Sequence, residues 1–371
     1  MSLRSLILNL LTATASAAAV AEPDRGNGTQ KRRPIVLDRS GGFSIGGRTI
    51  SAPGNPDMTL SCDHGYVEYF LPARARATSI VLWHSSSTQV WQNRWDGGEG
   101  YKDKLLRRDY PVYLWDGPRV GRANWACEPI TYVPQYRDQG NWGAWNFGPR
   151  YPMWWPGVQF PTHSPAAWDQ ATRARYDEFD TAANVELQSH AAAVAADSGR
   201  LGDAIVYLTN SAGGLRAMMT TTKSNGTNIK GIVTYESIGY VFPDNAGVQA
   251  GRGGFGPFVV PLERFKKLAN VTAIQFVWGD NRAEDMESVK QSRLAAELIN
   301  KYGGNAEVLK LGEVGLKGST HIAFADMDND KVAALLDQFL KKNKLDKYAS
   351  PAPPRDGGGD DGDDDDHDGN N

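Results

Sequence analysis

The stretch Ala204-Ile-Val-Tyr-Leu-Thr-Asn-Ser211-Ala-Gly-Gly-Leu-Arg-Ala-Met-Met219 changes character at a single residue. Up to Asn210 it is a β-branched and aromatic run suited to a buried strand, and after Ser211 it is rich in helix formers. A strand that turns sharply into a helix at a serine holds that side chain above the sheet edge. Only small neighbours fit two places to either side, here Thr209 and Gly213. The helix that begins there points unpaired backbone N–H groups and the positive end of its dipole at the space where an oxyanion would form. Ser211 is therefore a candidate nucleophile and Ala212 a candidate oxyanion donor. A serine N-cap on an ordinary strand–helix turn has the same pattern, so other parts of the chain must discriminate.

Working outward, Ser79–Trp83, Tyr110–Trp115, Ile232–Tyr235, Thr272–Trp278 and Ala306–Leu311 read as strands. Tyr101–Arg108, about 284–302 and about 329–345 read as helices between or after them. Ile35–Ile50 reads as an entry hairpin with turns at Gly41-Gly42 and Gly46-Gly47, followed by a strand from Gly65 to Leu71. A long helix, open to interruption, is expected from about Ala167 to Ala196. This alternation predicts an α/β architecture, a mostly parallel central sheet flanked by helices, with ligands beyond the strand C-terminal ends. Residues of about 122–170 break the rhythm. They are rich in Gly, Pro and Trp, too irregular for a core layer and too apolar for a linker, and read as an aromatic-rich lid or cap insertion.

The ends bound the protein's class. Residues 1–21, with Arg4, a short apolar run and an alanine-rich segment, have the form of a secretory signal peptide. A leader at 22–33 ends in Lys31-Arg-Arg33, a candidate processing site. Residues 34–348 are then expected to form the folded domain. After a Pro-Ala-Pro-Pro break, the aspartate-rich tail (349–371) cannot bury enough apolar surface to fold. Of the 40 Lys+Arg, five fall in residues 1–33 and one, Arg355, in the tail; of the 43 Asp+Glu, two fall in residues 1–33 and eight in the tail, leaving 34 against 33. That balance gives no reason to expect a nucleic-acid partner, and no segment is apolar and long enough to suggest a membrane span. A homodimer stays open. The expected location is extracellular, where the two cysteines, Cys62 and Cys127, would form one disulfide. Asn27, Asn225 and Asn270 lie in glycosylation sequons.

A nucleophilic serine needs a base, an acid that orients the base, and N–H donors for the oxyanion. His321 follows the final predicted strand and is the candidate base. Two carboxylates end neighbouring strands, Glu236 and Asp280, and on this reading both stay open as the acid. The second oxyanion donor is expected from the loop His84-Ser-Ser-Ser-Thr88, at Ser86. No His-x-x-x-His pair or grouped ligand set suggests a metal, and no cofactor is expected.

Taken together, His84-Ser-Ser-Ser-Thr88 with Trp91, Trp115-Asp-Gly-Pro-Arg-Val-Gly-Arg122, Asn210-Ser-Ala-Gly-Gly214, Tyr235-Glu-Ser237 and Gly315-Leu-Lys-Gly-Ser-Thr-His321 resemble the fungal secreted α/β-hydrolase and arylesterase-like group related to certain bacterial esterases. The resemblance covers roughly residues 65–345. It implies an α/β-hydrolase fold, no cofactor, and a glutamate acid directly after the strand that follows the elbow, which selects Glu236. Serines stand here where the bacterial relatives carry two adjacent cysteines in the oxyanion loop, and Thr209 stands in a small-residue position.

The rings of Trp91, Trp142, Trp145, Trp154 and Trp155 are the expected walls of a substrate pocket. With no basic cluster evident near the site, the expected substrate is a neutral, hydrophobic or aromatic carboxylic ester or lactone. Two alternatives keep the same residues: acyl transfer or a lyase or cyclisation step in secondary metabolism, and a hydrolase fold retained as a binding protein. For the hydrolase, activity should fall as pH drops through the imidazole range, about 6.5 when unperturbed.

Overall fold

The computed structural model describes residues 34–84, 87–131, 134–175 and 180–349. The expected signal peptide, tribasic site, Asn27 sequon and acidic tail lie outside the described residues, as does Ser86.

In chain order the strands are β1 (Leu37–Ile45), β2 (Arg48–Ala52), β3 (Asn55–Cys62), β4 (Gly65–Pro72), β5 (Ser79–Trp83), β6 (Val112–Asp116), β7 (Ile205–Asn210), β8 (Ile229–Tyr235), β9 (Val241–Pro243), β10 (Phe258–Val260), β11 (Ala273–Trp278) and β12 (Ala306–Lys310). Eight of them form one sheet in the order β1-β4-β6-β5-β7-β8-β11-β12. From β6 to β12 every pairing is parallel, while β4 and β1 add an antiparallel edge. Every residue of β5, β6, β7 and β11 is buried, as expected for strands covered on both faces.

The helices are α1 (Gln89–Gln92), α2 (Tyr101–Leu106), α3 (Asn141–Ala144), α4 (Pro165–Arg173), α5 (Ala182–Asp197), α6 (Ala212–Lys223), α7 (Leu262–Ala269), α8 (Glu287–Lys301) and α9 (Asn329–Lys342). Successive strand residues point to opposite faces, so β7 sends Ile205 and Tyr207 into one core with α5, α6, α7 and α8. Val206 and Leu208 enter the other, with α2, α9 and the aromatic segment that follows β6.

The expected entry hairpin over residues 35–50 is corrected: β1 pairs with β4 and β2 with β3, so β1 and β2 do not pair with each other. Gly41-Gly42 is not a turn: both glycines lie inside β1, opposite Tyr69 and Glu68, and the chain turns at Gly46-Gly47. A Cβ at Gly41 would stand 2.6 Å from the Tyr69 hydroxyl, and one at Gly42 would overlap the Tyr66 hydroxyl. These glycines therefore make room for cross-strand rings. The long helix is interrupted, as its reading left open: it is two helices, α4 and α5, each with its own start signal. Ser164 accepts from Ala167 N at 3.1 Å, with Pro165 in the first turn, and Thr181 accepts from Asn184 N at 3.2 Å.

Register places the site. Trp83 pairs with Thr209, Asn210 with Tyr235, Tyr235 with Val277, and Trp278 with Lys310. Parallel strands in this register end at one level, so His84, Ser211, Glu236 and Gly279-Asp280 leave the same sheet edge.

Candidate active site

Ser211 has φ 53° and ψ −129°, outside the regions that L-residues ordinarily occupy. The turn is held on both sides: Ser211 N donates to Tyr235 O at 3.0 Å, and Ile238 N donates to Ser211 O at 3.2 Å. Crowding explains the small residues that follow. A Cβ at Gly213 would stand 2.8 Å from Trp83 O, and one at Gly214 would overlap the hydroxyls of Ser237 and Thr234. Ser211 precedes α6 in the capping position, yet its side chain makes no capping hydrogen bond. A strained backbone and a hydroxyl not spent on the helix separate this residue from an ordinary N-cap. Ala212 opens α6, so its N–H belongs to the first turn, which lacks intrahelical acceptors.

Glu236 begins the loop after β8, also at positive φ (46°). Its Oε2 lies 2.8 Å from His321 Nδ1, and both groups are buried. Gly279 N donates to Oε1 at 3.1 Å, and Arg282 Nε donates to Oε2 at 2.7 Å. Burial alone would raise this carboxyl, but the Arg282 charge and the His321 contact outweigh it and hold Glu236 down at about 2. With Glu236 ionised, His321 Nδ1 carries the proton and donates it to the carboxylate, leaving Nε2 as the ring's basic nitrogen.

The main chain ties this pair to the serine turn. Asn210 Nδ2 donates to Tyr235 O at 3.2 Å and to His321 O at 2.9 Å, so the residue before Ser211 grips the residue before Glu236 and His321 itself. Asp280, the other candidate acid, is bonded elsewhere. It accepts from Gly318 N at 2.9 Å and from Ser319 N at 3.2 Å, fastening the loop that carries His321. Asp326 performs a similar service by accepting from Thr320 N at 2.7 Å and Thr320 Oγ1 at 2.8 Å.

Ser86 lies outside the described residues, but its loop begins at a firmly held point. His84 Nε2 is 2.9 Å from Asp116 Oδ1, both side chains are buried, and Arg122 Nε donates to Asp116 Oδ2 at 2.6 Å. The Cys62–Cys127 disulfide is present. Of the expected pocket walls, Trp91 and Trp142 are sealed in the interior at 0% and 2% exposure. Trp91 stacks on Phe324, and Trp142 packs among Phe147, Trp154 and Trp168. Trp145, Trp154 and Trp155 are half-buried. Trp145 and Trp168 line a small open depression, with Arg175 and Asp138 among its polar residues, and none of Ser211, Glu236 and His321 lines it. The neighbourhood is thus not free of cations, since Arg282 sits on Glu236 and Arg175 lies over the Trp145 ring, 5.5 Å from its centroid.

Arg282, Asn210 and Asp326 hold the site together in roles that the sequence reading does not assign. Asp280-Asn-Arg282 reads locally as a helix-cap sequence, and nothing local distinguishes an arginine that turns back onto a carboxylate.

The chain matches no protein-family model and no curated protein. Among solved structures it is similar to a novel bacterial esterase, with a TM-score of 0.66 and 23% identity over 84% of this chain and 98% of that one. The chain has the α/β-hydrolase fold. It also matches an esterase of Pyrobaculum calidifontis (TM-score 0.42, 14% identity, 83% of this chain and 85% of that one). A thermophilic esterase of Thermogutta terrifontis with butyrate bound also matches (TM-score 0.39, 13% identity, 80% and 94%). Within this fold, Ser211, Glu236 and His321 follow the chain order of nucleophile, acid and base in α/β-hydrolases.

Proposed function

We propose that this protein is a secreted serine hydrolase that cleaves a neutral, hydrophobic or aromatic carboxylic ester or lactone. The observation that carries the reading is the buried Glu236–His321 contact at 2.8 Å beside a strained serine turn whose hydroxyl does not cap its helix. In this reading His321 Nε2 takes the Ser211 Oγ proton as Oγ bonds to the substrate carbonyl carbon. The carbonyl oxygen becomes an oxyanion received by Ala212 N–H and by a second N–H from the 84–88 loop, with Ser86 the proposed donor. Collapse breaks the bond to the alcohol oxygen, which leaves with the proton held by His321. Water, deprotonated by His321, then attacks the acyl-enzyme, and the proton returns to Ser211. A lactone follows the same course, its alcohol remaining part of the product.

The hydrophobic substrate class is supported by the half-buried rings of Trp145, Trp154 and Trp155, on the segment whose Trp145 O accepts from His321 N. Secretion and glycosylation are supported by the Cys62–Cys127 disulfide and by exposed Asn225 and Asn270.

The test is labelling with a fluorophosphonate probe, with the modified peptide mapped by mass spectrometry. Labelling is expected at Ser211, abolished in Ser211→Ala and reduced at least ~100-fold in rate in Glu236→Gln. Asp280→Asn should retain most of it. Absence of labelling in the folded wild type would overturn the reading in favour of a binding protein.

A further inference from the structure

Arg282 makes more contacts than a counter-ion requires. Its Nε donates to Glu236 Oε2 at 2.7 Å, and its Nη2 lies 2.6 Å from the same oxygen while donating to Ala144 O at 2.8 Å. That carboxylate oxygen is also the one facing His321 Nδ1. Ala144 ends the short helix α3, and the next carbonyl, Trp145 O, accepts from His321 N at 2.8 Å. Helix-end carbonyls have no intrahelical donors. Here two consecutive ones are satisfied by the arginine on the acid and by the main chain of the histidine. The segment is anchored nearby as well, through Asn146 Nδ2 to Ser319 O at 3.0 Å and Gln159 N to Gly318 O at 2.8 Å. Arg282 is itself set in place by Lys310, whose Nζ donates to Arg282 O and Glu284 Oε1, each at 2.6 Å.

We propose that Arg282 is a positioning residue that couples the seating of the aromatic segment to the alignment of Glu236 with His321, and that it sets how far towards acid the pair works. This rests on the serine-hydrolase reading above. A carboxylate needed only to orient a histidine has no use for a second partner, and drawing a guanidinium partly out of water is costly unless it is well bonded. In this place it does two things. It holds Glu236 Oε2, the oxygen that faces His321, and its charge opposes a second positive charge on the imidazole.

The sign of the pH effect follows from both partners. Without Arg282, protonation of His321 meets no neighbouring guanidinium, and Glu236 keeps its negative charge less readily. Each change removes the neutral-base, ionised-acid pair at a higher pH, so the two act in the same direction. The other titratable and charged groups near the pair are Asp280 on the loop after β11; Asp326, which burial holds neutral, and Asp328 on the segment after His321; and Lys310 with Glu284 behind Arg282.

The experiment measures p-nitrophenyl butyrate hydrolysis and fluorophosphonate labelling rates between pH 4.5 and 8.5 for wild type, Arg282→Gln, Arg282→Lys and Ser211→Ala, with thermal unfolding of each. In Arg282→Gln, kcat should fall roughly 10- to 100-fold with KM little changed. The acid limb of kcat/KM should move up by about one pH unit. Arg282→Lys keeps the charge but cannot span Glu236 and Ala144, so it should restore the limb while kcat stays reduced. An Arg282→Gln protein with wild-type kcat and limb, alongside inactive Ser211→Ala, would overturn this role and leave the serine reading standing. Activity surviving in Ser211→Ala would overturn both. Should Arg282→Gln not fold, Arg282→Lys decides: wild-type kcat in that variant refutes the coupling.

Discussion

Glu236 illustrates how single groups in this site are set by their surroundings. Its carboxyl ionises at about 2 in the folded protein, against 4.5 for the unperturbed group. A depressed folded value contributes stability that is complete above 4.5 and is lost as pH falls towards 2. Across that window the wild type should therefore lose up to about 1.4 kcal/mol per pH unit relative to Glu236→Gln. Urea unfolding of both proteins at several pH values between 5 and 2 measures the difference, and parallel curves would show that the carboxyl does not titrate this way. Asp326 has the opposite sign. Complete burial pushes it well above the usual carboxylate range, with Asp328 adding to the rise and the two Thr320 hydrogen bonds only partly offsetting it. Its stabilising effect is full below 3.8 and fades as pH climbs through the raised value. An amide can accept from Thr320 N and donate to Thr320 Oγ1 without ever ionising, so Asp326→Asn should raise Tm, and by more at pH 8 than at pH 5. A variant that melts lower than wild type at both pH values would contradict the neutral-acid account. Neither behaviour is visible in the sequence, because a pKa depends on what burial and distant residues bring to a carboxyl. Of the candidate triad, Ser211 and His321 are legible from strand ends and chain order, whereas Glu236 and Asp280 both follow strands in that order and only the family resemblance separates them.

At the scale of elements, the fit of α6 onto β8 governs the serine turn. Gly214 leaves no space for a methyl group, which would overlap Ser237 Oγ and Thr234 Oγ1. Gly214→Ala should consequently displace the first turn of α6, cost about 1–3 kcal/mol and slow labelling of Ser211. Gly143, in α3, has nothing within 4 Å of a built Cβ, so Gly143→Ala serves as the control and should leave both stability and labelling near wild type. Denaturant midpoints and labelling rates of the two variants test the comparison. The same contrast explains which elements the sequence reveals. Strands β5, β7 and β11 are buried on both faces and read as unbroken apolar runs, while α8 and α9 are long enough for their periodicity to declare itself. Helix α7 has eight residues and the paired strands β9 and β10 three each, too short for any pattern to stand out, and they are absent from the sequence reading. Gly41-Gly42 misleads for a different reason. Its signal is local, whereas its cause is a pair of tyrosines on the neighbouring strand.

For the molecule as a whole, the disulfide joins parts that the main sheet does not. Strands β2 and β3 form a separate two-stranded sheet, largely exposed, and Cys62 ends it. Cys127 lies 65 residues later, in the segment that leads from β6 towards α3. Around the bond, buried Asp63 accepts from Arg119 Nε at 2.8 Å and Cys127 N at 3.3 Å, and Asp63 N donates to Trp125 O at 2.8 Å. Closing a loop of that length removes unfolded-state entropy worth about 4 kcal/mol on the chain-entropy account. Cys62→Ser/Cys127→Ser should therefore lower Tm by several degrees, with the Asp63 contacts still holding the two pieces together at low temperature. Because the cross-link lies far along the chain from Ser211, labelling of the folded double variant at 25 °C should stay close to wild type while its melting point falls. The segment after Trp125 leads into α3, whose last carbonyls hold Arg282 and His321. Loss of labelling should therefore come before global unfolding on warming, as that segment loosens first. Labelling and circular dichroism followed on one temperature ramp separate the two events. Coincident loss of both signals in the double variant would mean that the aromatic segment and the sheet unfold as one unit, and that the disulfide stabilises the whole domain and not the attachment of this segment alone.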